Sequence, residues 1–332
     1  MVEIMDKVPD PSAKKDPHAE QDAKINSALG KIRHKFLVMS GKGGVGKTST
    51  AVNLSIALAN KGFKVGIMDV DLHGPDVPRM LGLNGMLEVG PNGKLTPASY
   101  SNNLKAVSVE SLMPTKDEAV IWRGPIKYSA IQQFIGDVEW GELDFLVIDS
   151  PPGTGDEPLT IAQIVKDAKA IIVTTPQEVA LADVRKSISF CKRVKMDVFG
   201  LIENMSGLSC PHCGEIIDLF GSGGGEKTAR QFGLNFLGRI PIDPNVVQCG
   251  DSGQCYRDAN ADSNVTRAFD EIAGKMAELA QKKLAFIRKF AFSPELHSLL
   301  SNYGQARDVW LAKLDPRNDA SYAVSYTHLT LP

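Results

Sequence analysis

Short apolar runs alternate with longer segments of helical periodicity along most of the chain. The runs are Lys35–Ser40, Lys64–Asp69, Leu104–Val109, Phe145–Ile148, Ala170–Val173, Val198–Ile202 and Phe236–Ile240. They are apolar at consecutive positions, which predicts strands buried on both faces. Between them, Lys47–Asn60, Pro125–Ile135, Pro158–Val165, Leu181–Val194 and Gly225–Phe232 read as helices. Val265, Phe269, Ile272, Met276 and Leu279 form one stripe of a closing helix, with Ser263 placed to cap it. This alternation implies an α/β fold, a doubly wound, mostly parallel sheet with helices on both faces. The Gly- and Pro-rich stretch 84–96 predicts a small hairpin insertion.

Residues 1–33 read as a flexible polar leader, 34–283 as the α/β domain, 284–323 as a helical extension and 324–332 as a non-native tail. The 332 residues carry 37 basic and 39 acidic side chains, so the basic excess of a nucleic-acid binder is missing. Apolar runs stay short of a membrane span, and no secretory h-region is present, which together suggest a cytoplasmic protein without nucleic-acid or membrane partners. Five cysteines are too few for a disulfide framework in a chain of this length.

Gly41-Lys42-Gly43-Gly44-Val45-Gly46-Lys47-Thr48 satisfies G-x-x-x-x-G-K-[ST] between a strand and a helix. Its glycines let successive N–H groups turn toward phosphate oxygens at a helix N-terminus, where Ser49 follows. Lys47 is placed for the β- and γ-phosphates, and the Thr48 hydroxyl for Mg²⁺. A second lysine, Lys42, cannot easily curl back onto its own loop. It could reach a facing subunit's nucleotide as an arginine finger does, worth on the order of 10³-fold in rate. Asp149 ends an apolar strand beside this loop and is a candidate Mg²⁺ ligand. Asp71 is the candidate for orienting the attacking water and a second candidate ligand of the metal. Asp69 suits either that site or a purely backbone-bonding role.

Cys210-Pro-His-Cys213 is the other chemical signal. From spacing alone it fits half of an iron–sulfur site, half of a zinc site completed by His212, Cys249 or Cys255, or a redox dithiol. Cys191, Cys249 and Cys255 read as bystanders.

With the loop at 41–48 and Asp149-Ser-Pro-Pro-Gly-Thr-Gly-Asp156 in place, the chain resembles the deviant Walker A ATPases, among them MinD, ParA and the nitrogenase iron protein. Asp69-Val-Asp-Leu-His-Gly-Pro-Asp76, Trp122-Arg-Gly-Pro125 and Asn204-Met-Ser-Gly-Leu-Ser-Cys-Pro-His-Cys213 resemble the Mrp/ApbC iron–sulfur carrier branch, as do Ile240–Pro244 and Gly250–Gly253. The resemblance implies an ATPase homodimer with nucleotide at the interface. It makes Lys42 the signature lysine, puts Asp71 in switch I and Asp149 with Asp156 in switch II, and places Asn204 and the loop 241–244 near adenine. It also implies that Cys210 and Cys213 of two subunits hold one [4Fe–4S] cluster, destined for apo iron–sulfur client proteins. The alternative reading is a MinD/ParA-like positioning or partition ATPase, supported by Lys282, Lys283, Arg288 and Lys289 interleaved with Leu284, Phe286, Ile287 and Phe290. His73 reads as a turn residue, and Trp122 with Arg123 as packing.

Overall fold

A computed structural model describes residues 17–72, 74–112, 124–209, 213 and 215–291. In chain order the elements are α1 (Pro17–Leu29), β1 (Ile32–Met39), α2 (Lys47–Asn60), β2 (Val65–Asp69), α3 (Val77–Met80), β3 (Glu88–Val89), β4 (Leu95–Thr96), β5 (Ala98–Ser101), β6 (Leu104–Ser108), α4 (Gly124–Gly136), β7 (Leu143–Asp149), α5 (Asp156–Ile164), β8 (Lys169–Thr174), α6 (Glu178–Arg193), β9 (Asp197–Ser209), β10 (Ile216–Ile217), α7 (Gly224–Phe232), β11 (Phe236–Ile242), α8 (Pro244–Ser252), α9 (Tyr256–Ala259) and α10 (Asn264–Ala291). β11, β9, β8, β1, β7, β2 and β6 run parallel, with β5 antiparallel on one edge and β10 antiparallel to the far end of β9. The doubly wound α/β expectation is therefore met.

Period-two alternation along buried strands makes two cores. Phe36 and Val38 point into one, Leu37 and Met39 into the other, and all four are fully buried. Each such side chain contributes about 1.5–3 kcal/mol through burial. Ala51, Leu54 and Leu58 of α2 and Phe269, Ile272 and Met276 of α10 fill the first core, while Ile131, Phe134 and Ile135 of α4 and Val184 and Ile188 of α6 fill the second. Ser263 caps α10 as expected, its Oγ accepting from Thr266 N at 3.1 Å. β3 and β4 form the expected small hairpin.

Two boundaries differ from the sequence reading. Residues 17–29 of the expected flexible leader form α1, and Ile25, Ala28 and Leu29 are buried against α4. Close approach is possible because Gly136 lacks a side chain, since a Cβ there would lie 3.1 Å from Ile25 Cγ1. At the other end α10 continues past 283 to Ala291 without a break. Among the described residues no helix is long and apolar enough to cross a membrane.

Candidate functional site

The phosphate-loop motif lies at the C-terminal end of β1, between β7 and β8, where ligands of doubly wound sheets gather. Gly44 and Gly46 take φ of 76° and 75°, left-handed values that fold the loop back over the start of α2. Gly41 is needed for another reason, because a Cβ there would sit 2.4 Å from the Asp183 carbonyl carbon in α6. At Gly44 a Cβ would meet nothing within 4 Å, so the loop's mouth is open. Ser40 Oγ donates to Lys42 O at 2.9 Å, and Thr50 Oγ1 to Gly46 O at 2.7 Å, fixing both limbs. Ser49 O accepts from Asn53 Nδ2 at 2.9 Å.

Lys47 Nζ donates to Asp149 Oδ1 at 2.6 Å and to Thr48 Oγ1 at 3.1 Å, and Thr48 Oγ1 donates to Asp149 Oδ2 at 2.8 Å. Thr48 and Asp149 thus present converging oxygens of the kind a hard divalent cation takes. Burial pushes the Asp149 carboxyl up, against the pull of the Lys47 ammonium. Asp69 lies beside Asp149 in the β2–β7 register and is fully buried. Burial, then the neighbouring Asp149, holds its carboxyl well above the usual range. Of the two roles open to Asp69, the structure shows the backbone one. Its carboxylate accepts from Asp71 N at 3.0 Å, Val77 N at 3.2 Å and Ser108 Oγ at 3.3 Å, shaping the turn that presents Asp71. Asp71 is half-buried, accepts from Gly74 N at 3.3 Å and contributes to raising Asp149.

Asp156 opens α5 and is exposed, whereas the next residue, Glu157, is buried in an ion pair with Lys127 Nζ at 2.7 Å. That pair ties α5 to α4. His73, Trp122, Arg123, Cys210 and His212 lie outside the described residues.

Asn204, at the sheet end of β9, donates Nδ2 to Val45 O at 2.9 Å and so touches the phosphate loop directly. The loop 241–244 caps α8 through Asp243, whose Oδ1 accepts from Asn245 N at 2.9 Å. β9 then runs on to Ser209, and Cys213 is exposed before the return strand β10. Cys191 is fully buried with its Sγ 3.7 Å from Met39 Sδ, and burial pushes its thiol up to about 12. Cys249 and Cys255 pack at the first core around α8 and α9. Among the described residues no three His, Cys, Asp or Glu side chains gather to hold a metal.

The ParA profile described as NUBPL iron-transfer P-loop NTPase matches residues 31–277. The chain belongs to this iron-transfer P-loop NTPase family. An iron–sulfur cluster carrier protein of Methanocaldococcus jannaschii is 48% identical over 265 residues, covering 77% of this chain and 91% of the relative. The cytosolic Fe-S cluster assembly factor CFD1 of Saccharomyces cerevisiae is 45% identical over 270 residues, 77% and 92% of the two chains. A nucleotide-binding protein of Archaeoglobus fulgidus, solved with ADP, superposes with a TM-score of 0.65 at 38% identity, covering 75% of this chain and 96% of that one. The cell division ATPase MinD of Pyrococcus furiosus shares the fold at a TM-score of 0.53 and 22% identity, with 74% of this chain and 99% of that one covered.

Two features of this NTPase escape sequence reasoning. Glu203 is buried without exposure and collects hydrogen bonds from distant backbone. Lys127 and Glu157 look like surface charges until α4 and α5 pack. In both cases the partner is 20 or more residues away, so no local pattern announces it.

Proposed function

We propose that this NTPase is an ATP-dependent carrier that holds a [4Fe–4S] cluster between two copies of the chain and hands it to apo iron–sulfur proteins. The observation that carries the reading is that one strand links both chemistries. β9 touches the phosphate loop through Asn204 and ends at Ser209, directly before Cys210, with Cys213 exposed beyond it. The six residues 204–209 span at most about 20 Å, short enough for the nucleotide to bias the cysteine pair. Such a cluster takes four thiolates, and each copy offers two at this spacing, so a two-fold dimer completes the set.

ATP binds on the loop 41–48. Lys47 exchanges Asp149 for phosphate oxygens. Thr48 and Asp149, with Asp71 nearby, would hold Mg²⁺, which neutralises charge on the phosphates. Asp71 orients the attacking water, and Lys42 stabilises the transferring phosphoryl in the facing subunit. Hydrolysis then shifts the dimer between arrangements that differ in cluster affinity.

Anaerobic reconstitution with iron and sulfide tests the proposal. About four irons per dimer are expected, with the optical absorption of a [4Fe–4S] centre. Changing Cys210 and Cys213 together to Ala is expected to abolish it. Wild-type protein without a cluster, or a double variant that retains one, overturns the carrier reading. The positioning-ATPase alternative rests on fold likeness and on the basic and apolar residues interleaved over 282–290, and ATP-dependent co-sedimentation with anionic liposomes would favour it.

A further inference from the structure

Glu203 and Asn204 are consecutive residues of β9 and face opposite ways. Asn204 Nδ2 donates to Val45 O in the phosphate loop. The contact is tight, since a Cβ on Gly46 would fall 2.2 Å from that nitrogen. Met205 follows in the left-handed region at φ 57°, a conformation an unbranched side chain adopts only when the surroundings impose it. β9 thus carries a local backbone distortion between the phosphate loop and the cysteine segment.

Glu203 closes the other side. Its Oε1 accepts from Ser206 Oγ at 2.6 Å and from Gly223 N at 2.9 Å, and its Oε2 accepts from Gly225 N. Arg239 Nε stands 3.4 Å from Oε1. Ser206 is on the outgoing limb of the cysteine segment, whereas Gly223 and Gly225 are on its return into α7. One buried carboxylate therefore staples both ends of the segment 206–223, which contains Cys213 and, by sequence, Cys210. A helix cap would need only one of these contacts.

We infer that Glu203 is a positioning residue that fixes the base of the cysteine segment, so that a shift of the phosphate loop felt by Asn204 reaches Cys213 as a change in its exposure. This rests on the carrier reading for its purpose, but the mechanical link stands on the bonds above. Glu203→Gln keeps the shape and loses one acceptor, so its amide N–H₂ opposes a backbone N–H. One remaining acceptor oxygen then cannot serve Ser206 Oγ, Gly223 N and Gly225 N together, so the staple is weakened at the return limb.

The test is the alkylation rate of Cys213 by iodoacetamide in the full chain without iron, read residue by residue by mass spectrometry, with and without Mg·ATP. In wild type the nucleotide is expected to change the rate by about fivefold or more, the lower edge of ordinary coupling between sites. In Glu203→Gln the rates with and without nucleotide are expected to converge, while ATP still binds. Ser206→Ala, a milder cut on the outgoing limb alone, should give an intermediate ratio and answers for Glu203→Gln if that variant fails to fold. A wild-type rate indifferent to nucleotide, or variants with the wild-type ratio, overturns the inference. Iron content of reconstituted wild type is measured in parallel. A cluster-free wild type that still shows the nucleotide response defeats the carrier reading and leaves the latch standing.

Discussion

The Lys47 ammonium donates to Asp149 Oδ1 across 2.6 Å, and both side chains are buried. The lysine of the phosphate loop is thus paired with the strand-end carboxylate of Asp149. Exchanging that partner for phosphate leaves Asp149 oxygens free for a cation, so nucleotide and metal are expected to bind together. Lys47→Met should abolish measurable ATP binding by fluorescent nucleotide titration. It also strands a buried carboxylate, so urea unfolding should show a loss of about 3 kcal/mol.

Lys42→Ala should separate binding from turnover. The side chain is half-exposed. ATP affinity should stay near wild type, while phosphate release falls by roughly 10³-fold if Lys42 acts across the dimer. Mixed dimers carrying one Lys42→Ala copy should keep one working nucleotide, and chelating Mg²⁺ should silence both.

Cysteine substitutions should split by environment. Cys213 is exposed, so Cys213→Ala should change stability by about 0.5 kcal/mol or less while iron binding is lost. Cys191→Ala leaves a gap beside Met39 and should cost about 1–2 kcal/mol with iron content unchanged. Thermal unfolding and iron analysis on the same samples decide it.

Acid should weaken the fold through His34. Its ring lies 5.3 Å from that of Phe145, and burial, then Lys169 and Lys35, push its pKa down to about 4 from 6.5. The folded state therefore prefers the neutral ring, and the unfolded chain takes up the proton first. The stability involved is fully present above pH 6.5 and is lost as pH falls toward 4, about 3 kcal/mol in all. His34→Phe should flatten that part of the stability profile in urea titrations at stepped pH.

The strands and helices that bear the chemistry were legible because burial on both faces writes itself as consecutive apolar residues. Val65–Asp69 and Lys47–Asn60 sit within one residue of the sequence reading. α1 was not legible. Its buried stripe is three residues, Ile25, Ala28 and Leu29, in an otherwise polar stretch. A helix that covers only one edge of α4 needs no more. The length of β9 was missed too, because beyond Ile202 it pairs with the short β10 and the end of β11 and carries polar residues.

By itself the sequence determined the local chemistry: a loop that must bind phosphate, a strand-end aspartate beside it and a pair of cysteines three apart. Those depend on residue type and short spacing, which a chain carries wherever it folds. Only the tertiary structure decided which groups share a partner. Asp69 turned out to shape the turn presenting Asp71, and Glu203 to bond both Ser206 and, 20 residues along the chain, Gly223. Hydrogen bonds between distant segments exist only once the sheet has brought them within 3 Å, and nothing in local sequence records that approach.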